Sequence, residues 1–200
     1  ERLYLLIIDL IQLARIESRQ EIFEAEALEL GNILLDSIES FAPVAESKSL
    51  DLQLEAPKTL SMRGDAEGIR TILDNLISNA IRYTPDGGTV NVKCMATDAV
   101  VQLEIRDTGI GIAKEHRARI FERFYRIDKA RSRDLGGTGL GLSIVKHLAQ
   151  ALNGTIEVES EIGRGSCFRV TLPLKIETQA EVDIPCLLYT SDAADENTRG

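Results

Sequence analysis

Four segments between residues 90 and 172 alternate apolar and polar side chains with a period of two. Val90 and Val92 oppose Asn91 and Lys93; Val101, Leu103 and Ile105 oppose Gln102, Glu104 and Arg106. Ile156 and Val158 oppose Glu157 and Glu159; Phe168, Val170 and Leu172 oppose Arg169 and Thr171. Successive side chains of a strand point to opposite faces, so each segment reads as a strand with one apolar and one wet edge. A sheet covered on both faces would show continuous apolar runs instead. The expected fold class is therefore α+β, a two-layer sandwich with helices on one face of the sheet and solvent on the other. With 200 residues and 44% hydrophobic content, the chain has room for one full domain and an appendage.

The helical signals fall before and between these strands. Leu3, Leu6, Leu10 and Leu13 occupy heptad seam positions, with Ile7 and Ala14 beside them, and predict a bundle helix. A lone helix of this length is marginal in water. The expected partner is a helix from upstream sequence or a second chain; packing onto the chain's own domain is the alternative. Leu30, Leu34, Ile38, Phe41 and Ala45 follow helical spacing, which Pro43 is expected to disturb. Ser47 to Ser49 reads as a turn, and Leu50, Leu52 and Leu54 as a strand that Pro57 ends. Asp65 is placed to cap a helix whose apolar stripe is Ile69, Ile72, Leu73, Leu76 and Ala80. Thr84-Pro85-Asp86-Gly87-Gly88 stops it. A further helix, Leu140 to Leu152, belongs to the covered face of the sheet.

Charge and cysteine usage exclude several function classes. A net charge of -9 argues against a nucleic-acid surface, although residues 117–133 are rich in Arg and Lys. Cys94, Cys167 and Cys186 are widely spaced and contain no C-x-x-C pair, so buried thiols in a reducing compartment are expected. The apolar run from Leu3 to Ala14 is too short to cross a membrane, no leader is visible, and no membrane contact is expected of these residues. The chain begins without methionine and reads as a fragment. After Pro173 the patterning fades, and residues 185–200 resemble translated sequencing-adapter sequence with no function.

Three stretches carry candidate chemistry. Asn75, Asn79 and Arg82 fall at i, i+4 and i+7, on one flank of a helix whose other flank is apolar. Amide oxygens there suit a magnesium ion that takes one or two protein ligands and borrows phosphate oxygens, with Arg82 reaching a phosphate. Taken alone, surface or helix-end asparagines are the plainer account. Asp107 ends an apolar strand and meets Gly109 and Gly111. An acceptor-only carboxylate suits an exocyclic amine such as that of adenine, and glycines let backbone approach a flat base. An ordinary Asp-Thr-Gly turn is the alternative. Gly136 to Gly141 precedes a helix whose unpaired amides could receive phosphate. It is neither a dinucleotide fingerprint nor a Walker loop. Residues 125–135 between them lack hydrophobic period and carry Arg126, Lys129, Arg131 and Arg133, with Phe121 and Phe124 near one end. They read as a mobile lid or a solvated connector. His116 and His147 belong to no metal-spaced cluster and are expected to be structural or at the surface.

In order and spacing these segments resemble the catalytic ATP-binding domain of two-component sensor histidine kinases. The wider group includes gyrase, a heat-shock chaperone and mismatch-repair ATPases. Residues 73–85 resemble the N box, 107–111 the G1 box, 121–126 the F box, 137–142 the G2 box and 163–166 the last glycine box. The resemblance covers residues 1–174 and implies a Bergerat-type fold, a mixed sheet with helices on one face, preceded by one bundle helix. Residues 1–18 are similar to the second helix of the dimerisation and phosphoacceptor domain, 19–174 to the catalytic domain; 175–200 form an unassigned tail.

The resemblance also implies roles. ATP and Mg2+ would be the cofactors. Asn79 would ligate the metal, Asn75 and Arg82 would serve catalysis, and Tyr83 would lie against the base. Asp107 would bind the adenine amino group, with Gly109 and Gly111 beside it. Phe124, Gly137, Thr138, Gly139, Leu140 and Gly141 would complete the nucleotide site. A histidine on the family's first bundle helix, which has no counterpart here, would receive the γ-phosphoryl and pass it to an aspartate of a response-regulator receiver domain. The implied setting is a cytoplasmic homodimer, with any inner-membrane anchor upstream. The alternatives are an anti-sigma-factor-type serine kinase, against which the heptad helix and F box speak, and a nucleotide-sensing module. A gyrase-type ATPase clamp would need a glutamate where Asn75 stands.

Overall fold

The computed structural model describes residues 2–17, 26–57, 59–127 and 137–175, without the side chains of residues 2–5, 12 and 15–17. All four alternating segments form strands: β4 (Thr89–Ala96), β5 (Val100–Asp107), β6 (Thr155–Glu161) and β7 (Gly165–Pro173). With β2 (Asp51–Glu55) they make a five-stranded sheet in the order β2-β4-β5-β7-β6. β2 runs parallel to β4, and the remaining pairs are antiparallel, so the sheet is mixed.

One face of this sheet is the core. Val90, Val92, Val101, Leu103, Ile105, Val170 and Leu172 are fully buried there. They face α2 (Leu30–Ser47), α3 (Ala66–Tyr83) and α4 (Gly141–Ala151), whose stripes supply Leu34, Ile69, Ile72, Leu73, Leu76 and Ile144. Burying each such side chain is worth about 1.5–3 kcal/mol before entropy is counted. The opposite face is charged: Arg169 bridges Glu104 at 3.1 Å and Glu159 at 3.3 Å. This two-layer arrangement is the one the period-two pattern requires.

The start of α3 follows local chemistry. Asp65 caps α3, its carboxylate accepting the Glu67 N–H at 3.0 Å. Pro43, expected to disturb α2, sits inside a helix that continues to Ser47. Proline removes one backbone donor, while Ile38 and Phe41 pack on the core and Ala45 is buried. That packing holds the helix through the proline.

Two features had no sequence signal. β1 (Glu26–Glu29) pairs antiparallel with β3 (Ser61–Gly64), forming a separate two-stranded sheet. The chain leaving β7 is engaged too: Leu174 N–H donates to Ala99 O at 2.9 Å, and Arg63 N–H donates to Leu174 O at 3.2 Å. The remainder of the tail assigned above, residues 176–200, lies outside the described residues. The thiol expectation holds for Cys94 and Cys167, both buried and free, and burial pushes each up to about 11.

α1 (Arg2–Glu17) packs on its own domain, against α4. Leu13 is buried there, whereas Ile7, Leu10 and Ile11 stay exposed. The helix thus uses one flank internally and leaves another open. Among the described residues no helix is long and apolar enough to cross a membrane.

Candidate functional site

α3 sets out Asn75, Asn79, Arg82 and Tyr83 along one side of a cleft of about 990 Å³. The cleft is closed on the sheet side by Asp107, Ser166 and Phe168 and on the far side by Gly137, Thr138, Gly139 and Gly141. Gly111 and Arg126 also line it. The structure therefore brings together the separate sequence stretches singled out above. Gly109, Phe124 and Leu140 are not among the lining residues. Leu140 is fully buried in the core, and Phe124 points largely to solvent.

Asp107 is the last residue of β5, flanked in register by Val90 on β4 and Ser166 on β7. Its side chain is buried, only 6% exposed. Oδ1 accepts the N–H of Gly109 at 2.8 Å and of Ser166 at 3.2 Å. Burial pushes its pKa up from the ordinary value, and those two backbone donors oppose the rise. Gly109 presses on the Tyr83 carbonyl: a methyl group added there would lie 2.6 Å from that oxygen. At Gly111, where φ is +70°, a side chain would overlap the Glu161 carbonyl. Both glycines are required by close approach rather than by a turn alone.

At the other end, the polar flank of α3 meets the glycine loop. Asn75 donates through Nδ2 to Thr71 O at 2.9 Å. Its Oδ1 faces Gly141, where an added methyl group would come within 2.5 Å. The Arg82 guanidinium lies over Gly137, with Nη1 2.7 Å from where a methyl would be. The Asn79 side chain makes no hydrogen bond with any described residue. No side chain caps the start of α4, so its first amides are available to an acceptor. The Thr138 hydroxyl accepts the Leu140 N–H at 3.2 Å.

The stretch resembling an F box is tied to this loop by its backbone. Phe124 adopts a left-handed φ of 60° and donates its N–H to Gly139 O at 2.9 Å. Phe121 packs edge-on against Phe168, with ring centroids 6.5 Å apart. Of the expected lid, residues 125–127 line the cleft, whereas residues 128–135, and Gly136 of the glycine loop, lie outside the described residues.

Several lining residues had no sequence signal. Lys48 donates through Nζ to Ile81 O at 2.7 Å and Thr84 O at 2.6 Å, satisfying carbonyls at the end of α3. Asp9 of α1 accepts the Thr138 hydroxyl at 2.5 Å, a contact 129 residues apart in sequence. His116, expected to be structural or at the surface, lines the cleft with its Nδ1 2.7 Å from the Tyr125 hydroxyl. Arg119 stacks over that tyrosine, 4.3 Å from the ring centre. His147 is structural, with Nδ1 2.7 Å from Ser143 O in its own helix. Long sequence separation hides Asp9 and Lys48, whereas His116 needed only its place beside the F-box tyrosine. The cleft thus joins a buried acceptor, a wall of amides and a basic, amide-rich end, which suits an elongated polyanion with an amine at its head.

Comparison with known proteins places this geometry. The profile of the family described as histidine kinase-, DNA gyrase B- and HSP90-like ATPase matches residues 64–176. The sensor-like histidine kinase SenX3 of Mycobacterium tuberculosis is 39% identical over 180 residues, covering 90% of this chain and 44% of that protein. The sensor histidine kinase WalK of Bacillus subtilis is 36% identical over 185 residues, covering 92% of this chain and 30% of WalK. Among solved structures, full-length ShkA in complex with AMPPNP matches with a TM-score of 0.78 and 29% identity, over 88% of this chain and 36% of that one. The chain spans less than half the length of these relatives.

Proposed function

The chain belongs to the family of histidine kinase-, DNA gyrase B- and HSP90-like ATPases, and within it we propose that it is the ATP-binding part of a sensor histidine kinase. The buried Asp107 carboxylate at one end of the cleft, opposite Arg82 and the glycine loop, carries the reading. In it, Asp107 accepts an N–H of the adenine amino group while Tyr83 lies against the base. Gly111 admits the ring edge, and Gly109 holds the Asp107 carboxylate through its N–H. The phosphates run toward Arg82, Gly137, Thr138, Gly139 and the free amides of α4.

The residues present fit a magnesium ion. Among the described residues no cluster of three or more His, Cys, Asp or Glu side chains could cage a metal. The Asn79 carboxamide lines the cleft and has no described hydrogen-bond partner. One amide ligand suits an ion that takes its other oxygens from phosphate and water. When bound, the ion neutralises charge on the phosphoryl oxygens. Asn79 would hold it, with Asn75 positioned behind by Thr71 and Gly141. Asn75 is an amide where a water-activating carboxylate would stand, so the site favours transfer over hydrolysis.

The acceptor in this reading is a histidine outside these 200 residues, followed by a receiver-domain aspartate. The open face of α1 at Ile7, Leu10 and Ile11 would join a homodimer. Calorimetry with Mg-ATP tests the site. Binding is expected for the parent chain, with an affinity loss of about tenfold or more in Asp107→Ala. Unchanged affinity in that variant, with the fold intact by circular dichroism, would remove the assignment.

A further inference from the structure

Three contacts converge on the Ser160 hydroxyl near the end of β6. The Ile112 N–H donates to Oγ at 2.8 Å. The Gly165 carbonyl oxygen lies 2.8 Å away, and the Ser166 hydroxyl oxygen 2.9 Å away. Each contact needs one proton between its two electronegative atoms. The Gly165 carbonyl carries none, so the single Ser160 proton is directed to it. Ser160 Oγ then has only lone pairs left. Ile112 fills one with its own N–H, and the contact with Ser166 requires Ser166 to be the donor. No other assignment supplies all three contacts.

The consequence lies in the cleft. Ser166 lines its wall, while Ser160 does not. With its proton directed back at Ser160, the Ser166 oxygen offers lone pairs alone. Asp107 beside it, when ionised, is also acceptor-only, and its Oδ2 accepts from no described residue. Asp107 and Ser166 therefore present side-chain acceptors to this corner and no side-chain donor. A 6-amino purine brings two N–H groups to such a corner. A 6-oxo purine carries its edge proton on N1 instead, so its O6 lone pairs meet lone pairs with no proton between them, which is costly in a buried site.

We propose that Ser160 is a positioning residue that, through the polarity of the Ser166 hydroxyl, makes the cleft select 6-amino against 6-oxo purine nucleotides. The inference rests on the ATP-site reading above. Removing the Ser160 hydroxyl frees the Ser166 proton to turn into the cleft, where a 6-oxo group finds a donor.

The test is calorimetric affinity for ATP and for inosine triphosphate, each with magnesium, on the whole chain. In the parent, ATP is preferred. In Ser160→Ala the preference falls about tenfold, chiefly through tighter inosine triphosphate binding. In Ser160→Thr, which keeps the hydroxyl, the preference returns. A merely structural role would weaken both nucleotides alike, and an unchanged ratio in Ser160→Ala overturns the proposal. Should that variant not fold, Ser166→Ala decides: it removes one acceptor from the corner, the ratio is expected to fall, and an unchanged ratio overturns the proposal equally. A parent that binds both nucleotides equally defeats the selectivity inference alone. A parent that binds neither defeats the ATP-site reading, and this inference with it.

Discussion

Under the proposed ATP-site reading, Asp107 sets stability against binding at the scale of one residue. Burial raises its pKa above the ordinary 3.8, against the help of the Gly109 and Ser166 amides. A group that holds its proton longer folded than unfolded contributes stability below its unfolded pKa. That contribution is lost as pH rises through the raised folded value. Where it is ionised, the buried carboxylate is thus a cost to the fold. An asparagine keeps an oxygen for the two backbone donors and has no charge to desolvate. Asp107→Asn is therefore expected to melt higher than the parent at pH 7, with the gap closing toward pH 4, while losing about tenfold or more in ATP affinity. Thermal melts across that range, alongside calorimetry, check both halves. A variant that melts lower at pH 7 than at pH 4, relative to the parent, contradicts the burial argument.

At the scale of elements, α3 is the organiser. Its buried flank builds the core, and its other flank carries Asn75, Asn79 and Arg82 into the cleft. Anything that frays α3 should therefore loosen both. Asp65→Ala removes the side-chain cap on the Glu67 amide and is expected to destabilise by about 1 kcal/mol. Chemical denaturation should show a lower midpoint with an unchanged slope, and no loss of stability would mean that the cap is replaced by water. α1 is held more lightly, by Leu13 and the Asp9 carboxylate on Thr138. Because Thr138 belongs to the loop that would receive phosphate, α1 and that loop share one hydrogen bond, and movement of either is felt by the other.

For the whole molecule, the proposed ATP-site reading supplies a phosphoryl donor, and neither histidine is placed as its acceptor. Both histidines are engaged locally, His116 with Tyr125 and His147 with its own helix. Transfer of a phosphoryl group requires an in-line nucleophile held in place. Incubated with γ-labelled ATP, the chain is expected to bind nucleotide and remain unlabelled. Acid-labile label on the protein would show that one of these two histidines can serve as acceptor, against the geometry described.

The division between what could be read and what could not follows the range of each interaction. Period-two alternation at Val101, Leu103 and Ile105, helical spacing from Ile69 to Ala80 and the Asp65 cap are local, because backbone geometry repeats within a few residues. They determined the elements, the one-sided sheet and the residue types of the cleft. The β1–β3 sheet was invisible because four-residue strands carry too little pattern. Helical spacing carried α2 past Pro43 to Ala45, and tertiary packing there outweighs one missing donor. Asp9, Lys48 and the Ser160–Ser166 relay depend on partners brought together only by the closed fold. Which atoms line the cleft, which carboxylate is buried and which way a hydroxyl proton points are set by three-dimensional contact, and no one-dimensional pattern encodes them.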